Sequence, residues 1–594
     1  MRRHTALCLS LFSLITAPAL AEEWPLDPAY DLPRQAAVKP AKAHEGPVLQ
    51  TPLSAAPLFQ GLTATHSQIL TSDAVTGDFT LELWIVDHVN QPVGTLLSAG
   101  GMRLGYFNDQ AAFGGETLQT AKLPEPFKER WHDLVLVRQG HRLSLYHNGV
   151  AVAQGNAPTD ATTPVRLDSY LGNEPYMIPA NLVHVAALER RAMTPTEVAQ
   201  RFADRAKLVE EGRLWADRFH FTQPPYLSTP QMDSIQLSFE FDRPATATVV
   251  YGESEDALQT APLPATTDRL HGLKLSGLKA DTPYFYRVTG TDAAGRKLDS
   301  GLLSFRTAPP AGQPFVMVVS GDTEARPHIN NRMAQLMWEE RPALLAIMGD
   351  LTDGGSKEKR FEWTHEYFTG IGAFAGRVPV LGVVGNGEGE LQWWRHYLRE
   401  NMASPRRESY FSLVYGDVEF FTLDANLSER EKEAPGFRER QKAWLEQALK
   451  TSKARWKIAM HHQDVRTSDS DDYGDSFREK AGEGDRDVQA DFLPLYEKYN
   501  VDLVFFAHLH TYERSWPIRA NKVDPKTGIT YVQVGGLGGN LEDFAPNKPW
   551  FSAKTARTHH YVTLNVTPEQ IEGRMVDSEG RLRDVFTVHH RTDK

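Results

Sequence analysis

Residues 507–514 read AHLHTYER and directly follow the apolar run 501–506. Two histidines one residue apart at a strand end present their rings to one face, where such pairs face solvent as often as they bind anything. Company changes that. Four other short apolar runs end in residues with lone pairs to offer: 315–319 precedes Gly321-Asp322-Thr323, 343–348 precedes Gly349-Asp350-Leu351-Thr352-Asp353, 380–384 precedes Gly385-Asn386-Gly387-Glu388, and 456–460 precedes His461-His462. In an open α/β sheet the carboxyl ends of the strands line one crevice, so groups far apart in sequence converge there. Carboxylate, amide-carbonyl and imidazole donors together suit Mn, Fe or Zn, and two such ions roughly 3.5 to 4 Å apart form the usual hydrolytic pair. Taken singly, each aspartate is as well explained as a turn or helix cap and His461 as a satisfied core histidine; five such exits in order outweigh those readings.

The elements that must hold these residues begin after Pro309-Pro310. From there short continuous apolar runs alternate with helical segments, the pattern of buried strands covered by helices on both faces, and this α/β domain is assigned to 311–594. Upstream the chain reads as all-β. Region 53–190 contains FTLELWI (79–85), WHDLVLVRQG (131–140) and LSLYHNGV (143–150), and region 224–308 contains IQLSFEF (235–241) and YFYRV (284–288). Both alternate as half-buried strands do, so two sandwiches are expected. Thr194-Pro195-Thr196-Glu197 is a capping box with proline at the first helical position, which starts a helix inside a helical linker spanning 191–223. Residues 22–52, rich in Pro, Ala and Lys, read as an extended linker.

The order GD, GD, GN, H and HxH resembles the calcineurin-like metallophosphoesterase superfamily, and AHLHTYERSWP is most similar to its purple acid phosphatase branch. Gln441-Lys442-Ala443-Trp444-Leu445 matches a helix found between the third and fourth motifs of that family. Region 53–190 resembles the laminin-G/concanavalin-like jelly-roll modules, and 224–308 resembles the fibronectin-III-like module that precedes the catalytic domain of purple acid phosphatases. The fold implied is two N-terminal β-sandwiches, jelly-roll then fibronectin-III-like, followed by an α/β metallophosphoesterase sandwich. By the same resemblance Asp322, Asp350 and His510 would bind one metal, and Asp350, Asn386, His461 and His508 a second, with Asp350 as the catalytic bridge. Gly387 and Glu388, in the third motif, are placed at the substrate. The activity implied is hydrolysis of small-molecule phosphoric esters by a metal-bridging hydroxide. Two cations lower the pKa of such a water, clamp phosphoryl oxygens and stabilise the charge of in-line displacement. Fe, Mn and Zn all remain open as the metals.

Where the family reads GNHE this chain has Gly387. The missing imidazole serves the leaving group, and losing general acid catalysis typically costs about 10²- to 10⁴-fold. His462, favoured by adjacency, and His328 are the catalytic substitutes expected, with His365 a third possibility. Good leaving groups would then be preferred, and Gly387→His would improve turnover of alkyl esters. Asp353 stands where purple acid phosphatases carry the tyrosine responsible for their colour, so no purple colour is expected. Glu324 stands where other branches carry a histidine; it reads equally as a ligand or as a polar helix entry. Gly535-Gly536-Leu537-Gly538-Gly539-Asn540 reads as a tight loop beside the site, and 469–484 as an acidic rim loop.

Composition bounds the rest. Of 594 residues 41% are hydrophobic and 24% charged, which suits globular domains. Residues 1–21 have the layout of a signal peptide: Arg2-Arg3, an apolar stretch, and Ala19-Leu20-Ala21 before the expected cleavage. Ser10, Ser13, Thr16 and Pro18 make that stretch a poor membrane span. The expectation is an exported protein, periplasmic or secreted. Cys8, its one cysteine, lies in that segment, so any metal must use nitrogen and oxygen. The formal net charge of −12, more negative still without the two leader arginines, argues against a nucleic-acid partner. A glycan or protein ligand is possible for the laminin-G-like module. The alternative function is a catalytically impaired scaffold that binds through that module.

Overall fold

Alternation builds the first region. Along Phe79–Asp87 and Trp131–Gln139 every second side chain, Phe79, Leu81, Leu83, Leu134 and Leu136, enters one core shared with Leu97, Leu104 and Leu145. The computed structural model describes residues 22–25, 68–87, 94–107, 110–114, 118–122, 131–157, 163–170, 181–210, 219–264, 266–324, 327–352, 362–363, 367–398, 408–469, 484–539 and 541–590. Two units emerge, one holding Leu62–Ala203 and the other Asp204–Lys594. In the first, two six-stranded antiparallel sheets enclose the core, as the sandwich expectation requires. The linker expected over 22–52 is corrected at its start: Glu22–Pro25 is a strand paired antiparallel with Asn181–Glu189. The remainder of that linker, and residues 1–21, lie outside the described residues.

The capping box forms as expected. The Thr194 N–H donates to Glu197 Oε2 at 2.7 Å and the Glu197 N–H to Thr194 Oγ1 at 3.3 Å, opening the helix Pro195–Glu210. Its first turns are docked: Val198 packs with Val135, Val137 and Tyr146, Phe202 stacks on Trp84 at 5.7 Å, and Arg201 pairs with Glu82 and Glu189. Residues 191–203 are thus part of the sandwich, anchored by the apolar face of the helix.

In the second unit the strands Phe315–Ser320, Leu344–Ile347 and Val380–Gly382 run parallel, and antiparallel strands from His560–Val566 to Leu582–His589 extend the sheet. Opposite lies a seven-stranded sheet in which Val418–Thr422, Trp456–Met460, Leu503–Phe506 and Thr530–Val534 are parallel. Side-chain parity assigns the layers. Met317, Val319, Ala346, Ile458, Met460, Leu503 and Phe505 meet between the sheets. Val318, Leu345 and Ile347 face the helices Pro327–Glu339 and Phe368–Ala375, whereas Ala459, Val504 and Phe506 face Phe437–Thr451 and Arg486–Lys498. The result is helix, sheet, sheet, helix.

The antiparallel strands from Phe221–Ser228 to Leu303–Arg306 have a core of their own around Leu237, Phe239, Val249 and Tyr286. Their sheet is not separate, however. Ser228 pairs in parallel with Val380, making one 13-stranded sheet. Tyr286 donates to the Gly376 carbonyl and Tyr226 to that of Tyr397, tying this region to the helical layer.

Candidate metal centre

The five expected strand exits lie at the same ends of the two facing sheets, where parallel strands terminate together. Three of the residues expected to do chemistry sit in the left-handed region that non-glycine residues rarely adopt: Asp322 at φ 59°, Asp350 at 45° and His508 at 73°. Such conformations persist only where the surroundings over-determine them. Here they do. The Asp322 carbonyl accepts from the N–H groups of Gly538 and Gly539 at 2.6 and 2.9 Å, and its own N–H donates to the Gly349 carbonyl. The glycine loop at 535–539 is therefore the tight loop expected, with those donors spent on holding Asp322.

Glu388 does the same for Asp350. Its buried carboxylate accepts from the N–H groups of Asp350, Leu351 and Gly385 at 3.2, 2.7 and 2.6 Å, binding the second and third exits together. The Gly387 N–H donates to Asp350 Oδ1 at 2.7 Å. Both residues expected at the substrate instead shape the aspartate, because short turns leave backbone donors that a buried acceptor must satisfy. A Cβ on Gly387 would lie 2.1 Å from the Thr352 carbonyl oxygen, and one on Gly385 2.1 Å from Asp350 Oδ1. These turns have no room for a side chain, so the expected gain from Gly387→His is withdrawn.

The adjacent histidines separate by strand parity. His462 continues the inward set Ile458 and Met460: its Nδ1 is 2.7 Å from the Met348 carbonyl, and its Nε2 is 2.9 Å from Asn386 Oδ1 and 3.3 Å from Asp350 Oδ2. His461 continues Ala459 toward the helices, stacking on Phe506 and Tyr496 at 5.9 and 6.3 Å, with Nδ1 bonded to the Gln463 carbonyl. Of the two, His461, expected as a ligand, is a core ring, and His462, expected as a catalytic substitute, takes the position beside Asp350. His508 would point to the helices by parity, but its left-handed backbone brings it to 5.1 Å from the His462 ring, centroid to centroid. Asp350, His462 and His508 offer ligand atoms all within 4.8 Å of one another.

On the other side of Asp350, both carboxylate oxygens of fully buried Asp322 lack a hydrogen-bond partner. His510 Nε2 approaches Asp322 Oδ1 at 3.4 Å and Glu324 Oε1 at 3.2 Å, while its Nδ1 lies 3.5 Å from Glu542 Oε1. His328 lies in the first turn of Pro327–Glu339 with its side chain outside the described residues; His365, Asp353 and residues 470–483 are also outside them.

The protonation states follow the charges. Burial lowers His461 to about 3 and, with the His462 charge, His508 to about 4. Burial opposes charge on His462 as well, but Asp350 and Asp322 carry it up to about 9; Glu324, Asp322 and Glu542 likewise overcome burial at His510 and raise it well above the ordinary value. Burial raises Asp322 against the pull of His510, whereas at Asp350 the effect of burial is overcome by His462. An imidazole nitrogen aimed at carboxylate oxygens needs a proton or a cation between them. With His462 Nδ1–H committed to a carbonyl, Nε2 is the atom turned to Asp350 and Asn386, and the Asp322 oxygens, which make no hydrogen bond, ask for the same positive charge. The donor set fits metal ions.

Sequence reasoning missed Glu542, which follows a glycine loop without any motif of its own, and the anchoring role of Glu388. A further set, Asn426 donating to the Gly385 carbonyl and Arg430 bonded to Asp424 and the Gly389 carbonyl, steadies the Asn386 turn.

Residues 316–512 match the calcineurin-like phosphoesterase family profile, and residues 61–199 match that of the concanavalin A-like lectin/glucanases superfamily. Among curated proteins, purple acid phosphatase 15 of Arabidopsis thaliana is 28% identical over 315 residues, covering 47% of this chain and 55% of the relative. Probable inactive purple acid phosphatase 27 of the same plant is 24% identical over 366 residues, 54% of this chain and 57% of the relative. The matches thus span little more than half the length of these relatives. Among solved structures, purple acid phosphatase PPD1 from yellow lupin (Lupinus luteus) seeds superposes with a TM-score of 0.52 at 17% identity, covering 87% of this chain and 96% of that one; at that identity the likeness is one of fold.

Proposed function

We propose that this chain, which carries a calcineurin-like phosphoesterase domain behind an N-terminal concanavalin-like module, is an exported metal-dependent hydrolase of phosphoric esters of the purple acid phosphatase-like kind. The observation that carries the reading is the convergence of Asp350, His462 and His508 beside the orphaned Asp322 carboxylate. We assign the residues that would hold two cations: Asp322, Asp350 and His510 for one, and Asp350, Asn386, His462 and His508 for a second. Two bound cations supply Lewis acidity, lowering the pKa of a water and neutralising phosphoryl oxygens.

The chain's own groups supply the positioning. Glu388 and the Gly387 N–H fix the Asp350 carboxylate, the Met348 carbonyl fixes the His462 tautomer, and the glycine loop fixes Asp322. Because both ring nitrogens of His462 are engaged, it is a poor replacement for the absent GNHE histidine. The leaving group must depart without that proton donor, which favours aryl phosphates and phosphoanhydrides over alkyl monoesters. The antiparallel region 221–306 is read as the fibronectin-III-like companion of the catalytic domain.

The test is metal content and turnover of the purified protein on aryl phosphomonoesters and diesters. Two bound metals are expected, with turnover falling about a thousandfold or more in Asp350→Ala, since removing a bridging ligand forfeits several kcal/mol of charge stabilisation. A second reading, a metal-binding scaffold without turnover, is favoured by Gly387 and by the kinship with a relative named probable inactive. Bound metal with no hydrolysis of any phosphoester tried would establish it.

A further inference from the structure

Three carboxylates surround His510, and the assignment above uses one of them directly. Asp322 and Glu324 are separated by one residue, and the left-handed backbone of Asp322 brings both side chains to the same ring. Both approach the same atom, His510 Nε2, at 3.4 and 3.2 Å. The segment between them is held firmly: Thr323 Oγ1 donates to the Leu351 carbonyl at 2.9 Å, and the Asn330 side-chain amide donates to the Thr323 carbonyl. Glu542 sits on the other nitrogen of the ring, with Oε1 3.5 Å from Nδ1 and Oε2 accepting the His510 backbone N–H at 2.9 Å. It is almost wholly buried, as is Asp322, neither of whose carboxylate oxygens makes a hydrogen bond.

A ring whose Nδ1–H faces a buried carboxylate presents a lone pair at Nε2. Here that lone pair would meet two further carboxylates, an arrangement that repels itself unless a proton or a cation lies among the three, and a cation is what all three groups can hold at once. We propose that Glu324 is an additional ligand of the cation assigned to Asp322, Asp350 and His510, and that Glu542 is a positioning residue that sets the tautomer of His510. The inference rests on the two-cation reading above. It adds a distinction between the two positions: three carboxylates and one imidazole make the first a hard, oxygen-rich site suited to Mn²⁺, while Asn386, His462 and His508 make the second richer in nitrogen.

The experiment strips the full chain with chelator, reloads it with Mn²⁺, and measures bound metal by elemental analysis, affinity by titration, and coupling between the ions by electron paramagnetic resonance. The wild type should hold two Mn²⁺ per chain with the signature of an exchange-coupled pair. E324Q, nearly isosteric, and E324A should each lose the tight first equivalent and the coupled signal while the metal-free melting temperature is kept, because the change removes a carboxylate from a crowded negative site. E542Q should keep both equivalents with first-site affinity lowered about 10- to 100-fold, the range for losing a partner behind a ligand. Two coupled ions bound at wild-type affinity in both Glu324 variants would overturn the ligand role and leave the two-cation reading standing. A wild type that binds no metal would overturn that reading and this inference together.

Discussion

Both units of this protein bring two histidines together, and the pairs behave differently. In the N-terminal sandwich His132 Nδ1 and His147 Nε2 lie 2.7 Å apart with their rings stacked at 5.0 Å, one nitrogen giving a proton to the other. In the C-terminal sandwich His462 and His508 are as close, 5.1 Å between rings, yet they cross at 70° and His462 turns its Nε2 to Asp350 and Asn386. Close imidazole contact is common to both. What marks the second pair as a candidate metal centre is that its His462 Nε2 points at a buried carboxylate and an amide oxygen rather than at another imidazole.

Variants can break that comparison at its strongest point. His462→Ala should remove one metal equivalent and lower phosphoester turnover about a thousandfold or more, by the same loss of charge stabilisation expected at Asp350. His132→Phe should leave metal content and turnover unchanged, as elemental analysis and a steady-state assay on an aryl phosphate would show. Equal loss in the two variants would erase the distinction.

His560 offers a second comparison, a buried imidazole that is not among the assigned ligands. Its Nδ1 bonds to the Thr558 carbonyl, Nε2 has no partner, and burial lowers it to about 4. A histidine kept neutral in the fold but protonated near 6.5 when unfolded makes the unfolded state bind more protons at acid pH. Stability is therefore complete above about 6.5 and falls as pH drops toward 4, by up to about 3 kcal/mol from this one group. Urea midpoints at pH 7 and pH 4.5 should differ less in His560→Gln than in the wild type.

The smallest expected effect concerns Gly387. Gly387→His should reduce stability by roughly 1–3 kcal/mol through overpacking against the Thr352 carbonyl, with no gain on alkyl phosphates. Thermal melts together with turnover of an alkyl monoester check both halves of that statement.

The strand exits were legible because each apolar run ends in a short polar word, and ordered words of that kind tolerate few alternatives. Parity was legible too, at least in principle. Met460 inward implies His462 inward, and that alternation would have distinguished His462 from His461 where the family motif placed the ligand on the first histidine. His508 shows the limit: alternation sends it to the helices, and only a left-handed backbone returns it to the site. The linker at 22–25 failed for another reason, since a strand of four residues paired only at its far partner leaves no local periodicity. Glu388 resembled a substrate contact because motif letters do not say which donors surround a carboxylate, and four-residue turns brimming with backbone N–H groups claimed it.

Sequence by itself determined the order of elements, the layered α/β plan with β-rich regions before it, and the kinds of donor available for a cation, because periodicity and residue chemistry are local properties. Tertiary structure decided which histidine of an adjacent pair faces the carboxylates, which glutamates join them, and which glycines cannot be replaced. Those outcomes depend on distances between segments hundreds of residues apart and on backbone angles that neighbouring loops impose.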